Sequence, residues 1–567
     1  MNKFVSYLNS LHSDTAFSLN ALAENQLQNE FYQRIRVKRP LAEEITAIAT
    51  KSSRCIILTG HAGDGKTSLL ADILEAIGNR PSPLPDVGRF SSTQGHSVYF
   101  VKDMSELVTD ERIAQLQEAA ANAKAGGISV VVSNTGPLLN TFADWADDVS
   151  EKDRIVNEVL GWLMKPVSDA KFHSYSFLTI NLALLDSLDV VSQLLSNVIA
   201  SELWSDCRGC PALASCPVQN NAQLVRDRYD AVSDFLVAAY ALLQETGHRL
   251  TLRQISAHLG WGLTGGLTCQ EIIGNDIGHN ILLTQWGFHN NLFNYQGIKP
   301  RDSQIQAAVT FYETKWDRIS NHDYMLFIDE QGDVSREAKA ILNGQLDSED
   351  QEKRAESRRT HITYQLGDGL AEFLGLPEFW AYRAFRKSGT LSKQTRKNWQ
   401  RLSYNALFYL LMGERARNDG QKILVTASGR RHNSSLAELV IGDIDEDEIR
   451  IEPTPSSASI RTGHLYGVTL LVNDQSIGLT WPLLEYFTYL AEGGLEQPSN
   501  PLLSRGVEAL LAQVTSDIIR SKQKRHRLEE RIQVLWRTSE GSYVATMELP
   551  DSTDIDSPLE VEHIHRV

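Results

Sequence analysis

The stretch Thr59–Ser68 reads TGHAGDGKTS, and it directly follows the apolar run CIIL at Cys55–Leu58. Within it, Gly60–Thr67 fits the pattern G-x-x-x-x-G-K-[ST], a glycine-rich loop that joins an apolar strand to a helix. The amphipathic run SLLADILEAIG supplies that helix. Glycines let successive backbone N–H groups converge on phosphate oxygens, and the helix N-terminus adds partial positive charge. The stretch therefore predicts a site for the phosphates of a nucleotide.

Each position of this loop has an expected role. Lys66 is predicted to contact the β- and γ-phosphates in catalysis, and Thr67 to ligate Mg²⁺. The other predicted nucleotide-binding positions of the loop are Gly60, Ala62, Gly63, Asp64, Gly65 and Ser68. No Asn-Lys-x-Asp guanine motif stands at a suitable place, so ATP is favoured over GTP.

A P-loop ATPase also needs a carboxylate at a strand end for Mg²⁺, and two segments compete for this role. Asp103 ends VYFVKD, the next strong strand pattern after the loop, and is the preferred ligand. Glu106, one turn further on, is a weak candidate base. The alternative is Asp329 with Glu330, at the end of YMLFIDE. Asp103 also has a plainer interpretation, a surface residue that begins the next helix.

Two more residues are candidates for contact with the γ-phosphate. Asn134 ends the strand pattern VVVSN and suits a γ-phosphate sensor; a turn or helix cap is the alternative. Arg253 lies in HRLTLRQISAHLGWGLTGG, a predicted helix of a lid packed over the nucleotide. A solvated or salt-bridged helix arginine is the alternative there.

The order of predicted elements indicates an α/β core. The strand-like runs SVYFVKD, ISVVVSN and YSFLTINL alternate with helical runs, as in a parallel sheet covered on both faces. We predict an α/β P-loop NTPase core of AAA-like type, a helical lid and a C-terminal α+β domain. The expected segments are an N-terminal helical linker (1–50), the P-loop ATPase core (51–200), the cysteine-rich motif and lid (201–275), a helical, partly basic region (276–420) and the α+β domain (421–567).

Composition narrows the function classes. The 567-residue chain has a formal net charge of −16, so it is not a general binder of polyanions. Contact with nucleic acid then requires a local basic patch. The N-terminus lacks a signal-peptide apolar block, and the longest apolar run, Phe235–Leu243, is far shorter than a membrane span. We expect a cytoplasmic protein without membrane contact.

Three of the five cysteines lie in CRGCPALASCP, as Cys207, Cys210 and Cys216. The C-x₂-C spacing lets two thiolates share one tetrahedral ion, and Cys269 is the expected fourth ligand, with a nearby His or Asp as the alternative. Cys55, in the strand before the loop, is expected in the core. Zn²⁺ is the default metal, and a [4Fe–4S] cluster stays open because C-x₂-C-x₅-C-P also occurs in iron–sulfur sites. Three buried thiols in an apolar turn are the plain alternative.

Two basic stretches contrast with the acidic background. The first is Arg383–Arg401, RAFRKSGTLSKQTRKNWQR, which contains Trp399 and is preceded by Arg358 and Arg359. The second is Arg520–Arg531, RSKQKRHRLEER. Either can follow a phosphate backbone, and we expect DNA contact near the first. Solvated helix faces are the alternative.

Five segments occur in an order that resembles a known family: GHAGDGKTSLL, FVKDMSEL, VVVSNTGPLLN, CRGCPALASCPVQNN and LTLRQISAHLGWGLTGGLTC. They are similar to the DptF family, the P-loop ATPase-like component of phosphorothioation-dependent DNA restriction. The later segment WPLLEYFTYLAEGG is similar to that family's tail region, so the resemblance spans most of the chain.

The resemblance implies an ATP-binding or ATPase subunit of a bacterial anti-phage restriction complex that acts on DNA lacking phosphorothioate modification. DptG- and DptH-like subunits are the implied partners. Gly60, Gly65, Lys66 and Thr67 match the nucleotide loop, and the cysteine string matches a metal-like motif.

One departure from related proteins concerns hydrolysis. Related P-loop proteins commonly carry Asn-Glu-Gly where this chain has Asn134-Thr135-Gly136, so Thr135 stands where a water-polarising Glu is expected. A nucleotide-gated scaffold with slow hydrolysis is therefore an alternative function, and a STAND-type signalling ATPase is another. A homo-oligomer is also open, because P-loop ATPases commonly form rings.

Overall fold

The computed structural model describes two compact units, Met1–Pro377 with Ser457–Leu465, and Glu378–Ser456 with Tyr466–Val567. The described residues are 1–12, 29–78, 81, 83–146, 151–274, 283–295, 348–374, 376, 378–412, 422–426, 437–455, 459–491, 501–525, 531–538, 541–548 and 560–566.

A six-stranded sheet forms the core of the first unit. Its strands are β1 (Cys55–Thr59), β2 (Val87–Ser91), β3 (Ser97–Val101), β4 (Ile128–Val132), β5 (Val167–Phe172) and β6 (Tyr175–Asn181). Their spatial order is β2-β3-β4-β1-β6-β5. The four central strands are parallel, and β2 and β5 are antiparallel edges. The prediction of an α/β core is confirmed, and the sheet is mixed rather than purely parallel.

The two antiparallel edges arise from short hairpins that the sequence patterns do not show clearly. Strand β2 lies within Gly78–His96, a segment whose Pro, Gly and Ser content predicts a loop. It returns into β3 through a turn closed by the Ser92 N–H to His96 O hydrogen bond. The β5–β6 hairpin turns at His173, which has a left-handed φ of 50°. Edge strands need only half a buried face, which weakens their sequence signal.

Helices of the first unit cover the sheet and extend beyond it. They are α1 (Lys3–Ser10), α2 (Glu30–Ile35), α3 (Pro40–Ala49), α4 (Lys66–Ile77), α5 (Thr109–Lys124), α6 (Thr135–Trp145), α7 (Lys152–Leu163), α8 (Val191–Val198), α9 (Pro217–Asp227), α10 (Tyr229–Glu245), α11 (Leu252–Thr264), α12 (Cys269–Ile273), α13 (Phe288–Leu292), α14 (Ser348–Tyr364) and α15 (Leu370–Phe373).

Strand β1 is buried on both faces, and alternate side chains join different layers. Ile56 and Leu58 pack with α3 and α4 on one face. Cys55 and Ile57 pack with α5, α6 and α7 on the other. Cys55 therefore lies in the core, as predicted. Because the helices after β1 and β4 cover opposite faces, a crevice opens between the carboxyl ends of these two strands.

Helix α11 begins with a capping box, in which Thr251 and Gln254 each satisfy the other's backbone N–H group. It ends at Gly265, whose φ of 55° is left-handed. Helix α1 crosses it closely, since a Cβ on Gly260 would lie 3.1 Å from the Leu8 carbonyl oxygen. Helix α11 is therefore held at both ends and along its length.

Within its described residues, the second unit combines four helices with antiparallel sheets. The helices are α16 (Phe379–Ser388), α17 (Lys393–Met412), α18 (Trp481–Ala491) and α19 (Pro501–Arg525), and the strands are β7 (Ile423–Thr426), β8 (Ala437–Ile444), β9 (Ile449–Pro453), β10 (Val468–Val472), β11 (Gln475–Gly478), β12 (Arg531–Thr538), β13 (Gly541–Glu548) and β14 (Glu560–Arg566). The sheet orders are β11-β10-β9 and β14-β13-β12-β8-β7. Helices α16 and α17 thus belong with these strands, although they precede residue 421.

No helix within the described ranges combines the length and the hydropathy that a membrane crossing requires.

Candidate functional site

The glycine-rich loop between β1 and α4 depends on backbone conformations that other residues rarely adopt. The φ angles of Gly60, Gly63 and Gly65 are 143°, 89° and 80°. A Cβ on Gly60 would also lie 2.7 Å from Asp64 Oδ2, and one on Gly63 would lie 3.0 Å from Thr251 Oγ1. The three glycines are thus required by both conformation and space.

Lys66, the first residue of α4, folds back over this loop. Its ammonium donates to the carbonyl oxygens of Gly60 (3.2 Å) and His61 (2.8 Å) and to Asn134 Oδ1 (2.8 Å). These three acceptors match the three donors of an ammonium group. Lys66 therefore joins the loop after β1 to the residue that follows β4, across the crevice between the two strands.

Asn134 precedes α6 but does not cap it with its side chain. Its Oδ1 accepts from Lys66 instead, and its backbone N–H donates to Ser105 Oγ (2.9 Å). The Asn134 side chain thus contacts Lys66 and does not cap α6, while its role as a γ-phosphate sensor stays a prediction. Thr135, beside it, is half-buried and has its hydroxyl 3.5 Å from that of Thr59.

Asp103 lies just beyond β3 and is half-buried. It caps a single 3₁₀ turn, Met104–Glu106, by accepting from the Ser105 N–H (2.8 Å). Its charge also acts on Lys66, so the two side chains belong to one site. Asp103 therefore caps the turn that follows its strand, as its plainer interpretation expects. Its role as an Mg²⁺ ligand stays a prediction, and Glu106 is exposed.

The ammonium of Lys66 experiences competing effects. Burial lowers its pKa, the charges of Asp64 and Asp103 oppose that change, and Arg253 adds to it. Lysine ammonium groups lose protons more readily when buried, and nearby carboxylates counter this tendency. Asp64, Asp103 and Arg253 are thus near enough to Lys66 for their charges to affect its pKa.

The remaining predicted loop positions differ in surroundings. Thr67 is half-buried at the second position of α4, and Ala62 is exposed at the tip of the loop. Ser68 is half-buried, and its hydroxyl lies 2.7 Å from the Tyr32 hydroxyl of α2. Ser68 therefore connects the loop helix to the N-terminal segment.

The predicted lid helix does contact the loop. The backbone N–H of Arg253 donates to Gly63 O (3.2 Å), and Leu252 Cδ1 would lie 3.1 Å from a Cβ on Gly65. The Arg253 side chain itself is exposed. Helix α11 thus begins directly on the glycine-rich loop.

Sequence patterns miss one central partner of the loop, Arg249. Its guanidinium forms an ion pair with Asp64 (2.8 Å), although 185 residues separate the two in sequence. It also donates to Leu182 O (2.8 Å), just after β6. The stretch HRL around Arg249 has no motif or periodicity that would have identified it.

The four predicted metal-binding cysteines line a single cavity of about 20 Å³, together with Asn2 at the N-terminus. Asn2 Nδ2 donates to Cys207 Sγ (3.4 Å), and the Gln219 N–H donates to Cys216 Sγ (3.5 Å). Burial raises the pKa of the Cys207 thiol, and it raises that of Cys216 to about 11. Cys210 and Cys269 complete the four, so the structure brings Cys269 of α12 together with the three cysteines of the cysteine-rich segment.

The cavity does not present these thiols as a formed ligand set. Within the described part of the chain, no three His, Cys, Asp or Glu side chains are placed to hold one ion.

Some residues in and before the first basic stretch are engaged inside the protein. Arg358, Arg359 and Arg383 are buried, and Arg359 donates to Asn290 Oδ1 (2.9 Å). Trp399 is fully buried and donates to Glu378 Oε2 (3.3 Å). These four side chains are therefore not available to a nucleic acid, because each packs into the interior of its unit.

A fifth exposed cation of this stretch, Lys387, lies on α16, and the other four lie on one side of α17. They are Lys393, Arg396, Lys397 and Arg401, which we call the α17 basic face. Among the described residues none of the four forms an ion pair. Cations near a helix N-terminus oppose the helix dipole, so helix stability does not explain them. The side chains of residues 521–530, within the second basic stretch, lie outside the described residues, as does the rival pair Asp329 and Glu330.

No protein-family model matches the chain, and no curated protein and no solved structure matches it either. Function is therefore inferred from the chain's own residues and their geometry.

Substitution of Gly63 by Ala tests the contact between loop and lid. Gly126 is a matched control, since its φ of 88° equals that of Gly63 within a degree and a Cβ there meets nothing within 4 Å. Both variants should lose about 1–2 kcal/mol of unfolding free energy from left-handed strain. Gly63→Ala should lose measurably more, because Thr251 and Arg253 must also move. Equal losses in chemical denaturation would contradict a tight loop–lid contact.

Proposed function

We propose that Gly60–Thr67 binds the phosphates of ATP and that the chain is an ATP-binding protein with a P-loop NTPase core of AAA-like type. The observation that carries this is the contact of Lys66 with Asn134 across the crevice between β1 and β4. Ligands of open α/β sheets bind at such crevices beyond the carboxyl ends of the strands. Nothing else in the described residues joins a glycine-rich loop, a helix N-terminus and a buried lysine in this way.

The arrangement suggests how the phosphates would be held. The backbone N–H groups of Gly63–Lys66 and the N-terminus of α4 suit the phosphate oxygens. Lys66 would exchange its carbonyl acceptors for the β- and γ-phosphates. Thr67 and Asp103 are the proposed Mg²⁺ ligands, and Arg253 is positioned at the edge of the site.

We propose that the chain hydrolyses ATP slowly in the absence of a partner protein. Asn134 can orient a water or sense the γ-phosphate, but Thr135 has no carboxylate to accept a proton. Glu106 is exposed, so it is not held in a fixed position by packing. A general base must lie within hydrogen-bond reach of the attacking water. These features favour a nucleotide-gated role as the alternative to a fast ATPase.

The wider role that we propose follows the resemblance to the DptF family. The chain would act as the ATP-dependent subunit of a restriction complex on DNA that lacks phosphorothioate groups, with DptG- and DptH-like partners. Support from the chain itself is the proposed nucleotide site and the α17 basic face.

Replacement of Lys66 tests the proposed nucleotide site. Lys66→Ala should lower ATP affinity by roughly a hundredfold, since the ammonium contributes a charge-assisted bond to each phosphate it meets. Binding is measured by calorimetry with Mg²⁺, and turnover with and without duplex DNA. Lys38→Ala is a control, because Lys38 is exposed and its ion pair is with Glu75.

Each outcome of that experiment has a definite meaning. ATP binding by the wild-type protein that Lys66→Ala abolishes supports the site, and turnover that rises with DNA supports an ATPase on DNA. Tight binding without turnover under any DNA condition supports the nucleotide-gated scaffold. Unchanged ATP affinity in Lys66→Ala would refute the proposed site.

We also propose that the four-cysteine cavity holds one structural metal ion. Zn²⁺ is the favoured metal, since four thiolates close a tetrahedral site, and a four-iron cluster is the alternative. The N–H groups that donate to Cys207 and Cys216 would stabilise thiolate ligands. The ion would tie Asn2 and α12 to the cysteine-rich segment.

Elemental analysis tests this metal proposal. The wild-type protein, purified without chelator, should contain about one Zn²⁺ per chain, since four thiolates close a tetrahedral site. Cys210→Ser should lose it, and Cys55→Ala should keep it because Cys55 lies in the sheet core. A brown protein that contains several iron atoms per chain would show that the site holds an iron–sulfur cluster and not Zn²⁺. A folded protein without any metal would refute the site.

The α17 basic face is our proposed contact with the DNA backbone. Arg396→Glu with Lys397→Glu should weaken binding to duplexes of any sequence by at least roughly tenfold and lower the slope of log K against log salt by about 2. Lys51→Glu with Lys171→Glu, at exposed sites of the first unit, makes the same change in net charge. DNA affinity is measured by fluorescence anisotropy. Equal losses of affinity in the two double variants would show a general effect of net charge and not a contact with DNA.

A further inference from the structure

Asp64 places a carboxylate inside the loop that we propose for phosphate binding. Its side chain is fully buried, and Oδ2 accepts from the His61 N–H (2.8 Å). A buried carboxylate without a counter-charge is costly, and it also repels phosphate. The loop therefore needs a nearby cation besides Lys66 before it can accept a triphosphate.

That cation is Arg249, which precedes the lid helix α11. Its guanidinium pairs with Asp64 Oδ1 (2.8 Å) and also donates to Leu182 O at the carboxyl end of β6 (2.8 Å). Its side chain is only 16% exposed. One residue thus touches the loop and the neighbouring strand end while it is covalently part of the lid.

A second buried arginine extends this arrangement to the N-terminal segment. Arg39 lies directly before α3 and donates to Asp186 O (3.4 Å). Burial lowers the pKa of Arg39, and the charges of Asp189, Arg249, Asp64 and Asp186 act on it as well. Arg39 therefore belongs to the same group of interacting charges as Asp64 and Arg249.

We propose that Arg249 is a positioning residue that neutralises Asp64, so that the loop accepts a nucleotide only while the lid is docked on it. The inference rests on the proposed function of the loop. ATP affinity and the docking of the lid on the loop are then coupled, because both depend on the ion pair between Arg249 and Asp64. Lid displacement, for example by a partner subunit, would leave Asp64 unpaired and weaken the hold on the phosphates.

Two substitutions at this ion pair separate the charge effect from a structural one. Asp64→Asn keeps an acceptor for the His61 N–H and removes the negative charge, so ATP should bind about tenfold more tightly. Arg249→Gln leaves Asp64 unpaired, so ATP should bind at least about tenfold more weakly. Both variants remove the same ion pair, and a merely structural role would therefore change affinity in the same direction in both.

The double variant and a control complete the test. Asp64→Asn with Arg249→Gln restores the net charge of the loop, and its ATP affinity should return to within about threefold of wild type. Arg226→Gln should have no effect, since Arg226 is a comparable arginine that donates to Ile199 O away from the loop. Circular dichroism and thermal unfolding without nucleotide show whether each variant folds.

The result that overturns the inference is weaker or unchanged ATP binding in Asp64→Asn. If Arg249→Gln does not fold, Arg249→Lys keeps the charge with fewer donors and should fall between wild type and the value predicted for Arg249→Gln. Failure of the proposed function is a separate result, since then the wild-type protein itself binds no ATP. A wild-type protein that binds ATP through Lys66, with both single variants weakened alike, refutes only the role of Arg249.

Discussion

The burial of opposite charges beside the glycine-rich loop is the constraint on which the rest of the first unit depends. Lys66 and Asp64 are both buried, two residues apart, and neither can be left without partners in a low-dielectric environment. Lys66 finds its partners in the loop and in Asn134 after β4, and Asp64 finds Arg249 before α11. Satisfying these two side chains therefore brings together the loop, a neighbouring strand end and the lid.

This arrangement bears on whether the protein acts as a fast ATPase or as a nucleotide-gated protein that hydrolyses ATP slowly. The groups around Lys66 suit the binding of phosphates, while the position that suits a water-activating carboxylate is occupied by Thr135. A site that holds ATP well and hydrolyses it slowly is suited to reporting nucleotide occupancy to other parts of an assembly. The docking of α11 on Gly63 provides a physical route for that report within the first unit.

Local patterns were sufficient to predict the elements that carry the site. The strand at Cys55–Thr59, the loop and α4 follow from adjacent residues, and the strands that end near Asp103 and Asn134 follow from short apolar runs. The hairpin edges β2 and β5 were not predicted, because half-buried strands with turn residues nearby resemble loops. The ion pair of Arg249 with Asp64 could not be predicted from the sequence, since no local pattern identifies a contact between residues that far apart in the chain.

The basic stretch shows a different limit of sequence patterns. Composition alone cannot separate Trp399, which is fully buried among Tyr382 and Phe385, from Arg396, which is exposed on α17. Aromatic residues between cations suggest nucleic-acid stacking, but the same residues also build a helix-packing core. Only the packing of α16 against α17 shows which side chains remain available to a partner.

A structure with ATP and Mg²⁺ bound tests the central claim most directly. We expect the phosphates in the Gly60–Gly65 loop, with Lys66 moved from the Gly60 and His61 carbonyls to the β- and γ-phosphates. We expect Mg²⁺ on Thr67 and directed towards Asp103, with Arg249 still paired to Asp64. Nucleotide bound elsewhere, or Mg²⁺ held by Asp329 in place of Asp103, would contradict this account of the site.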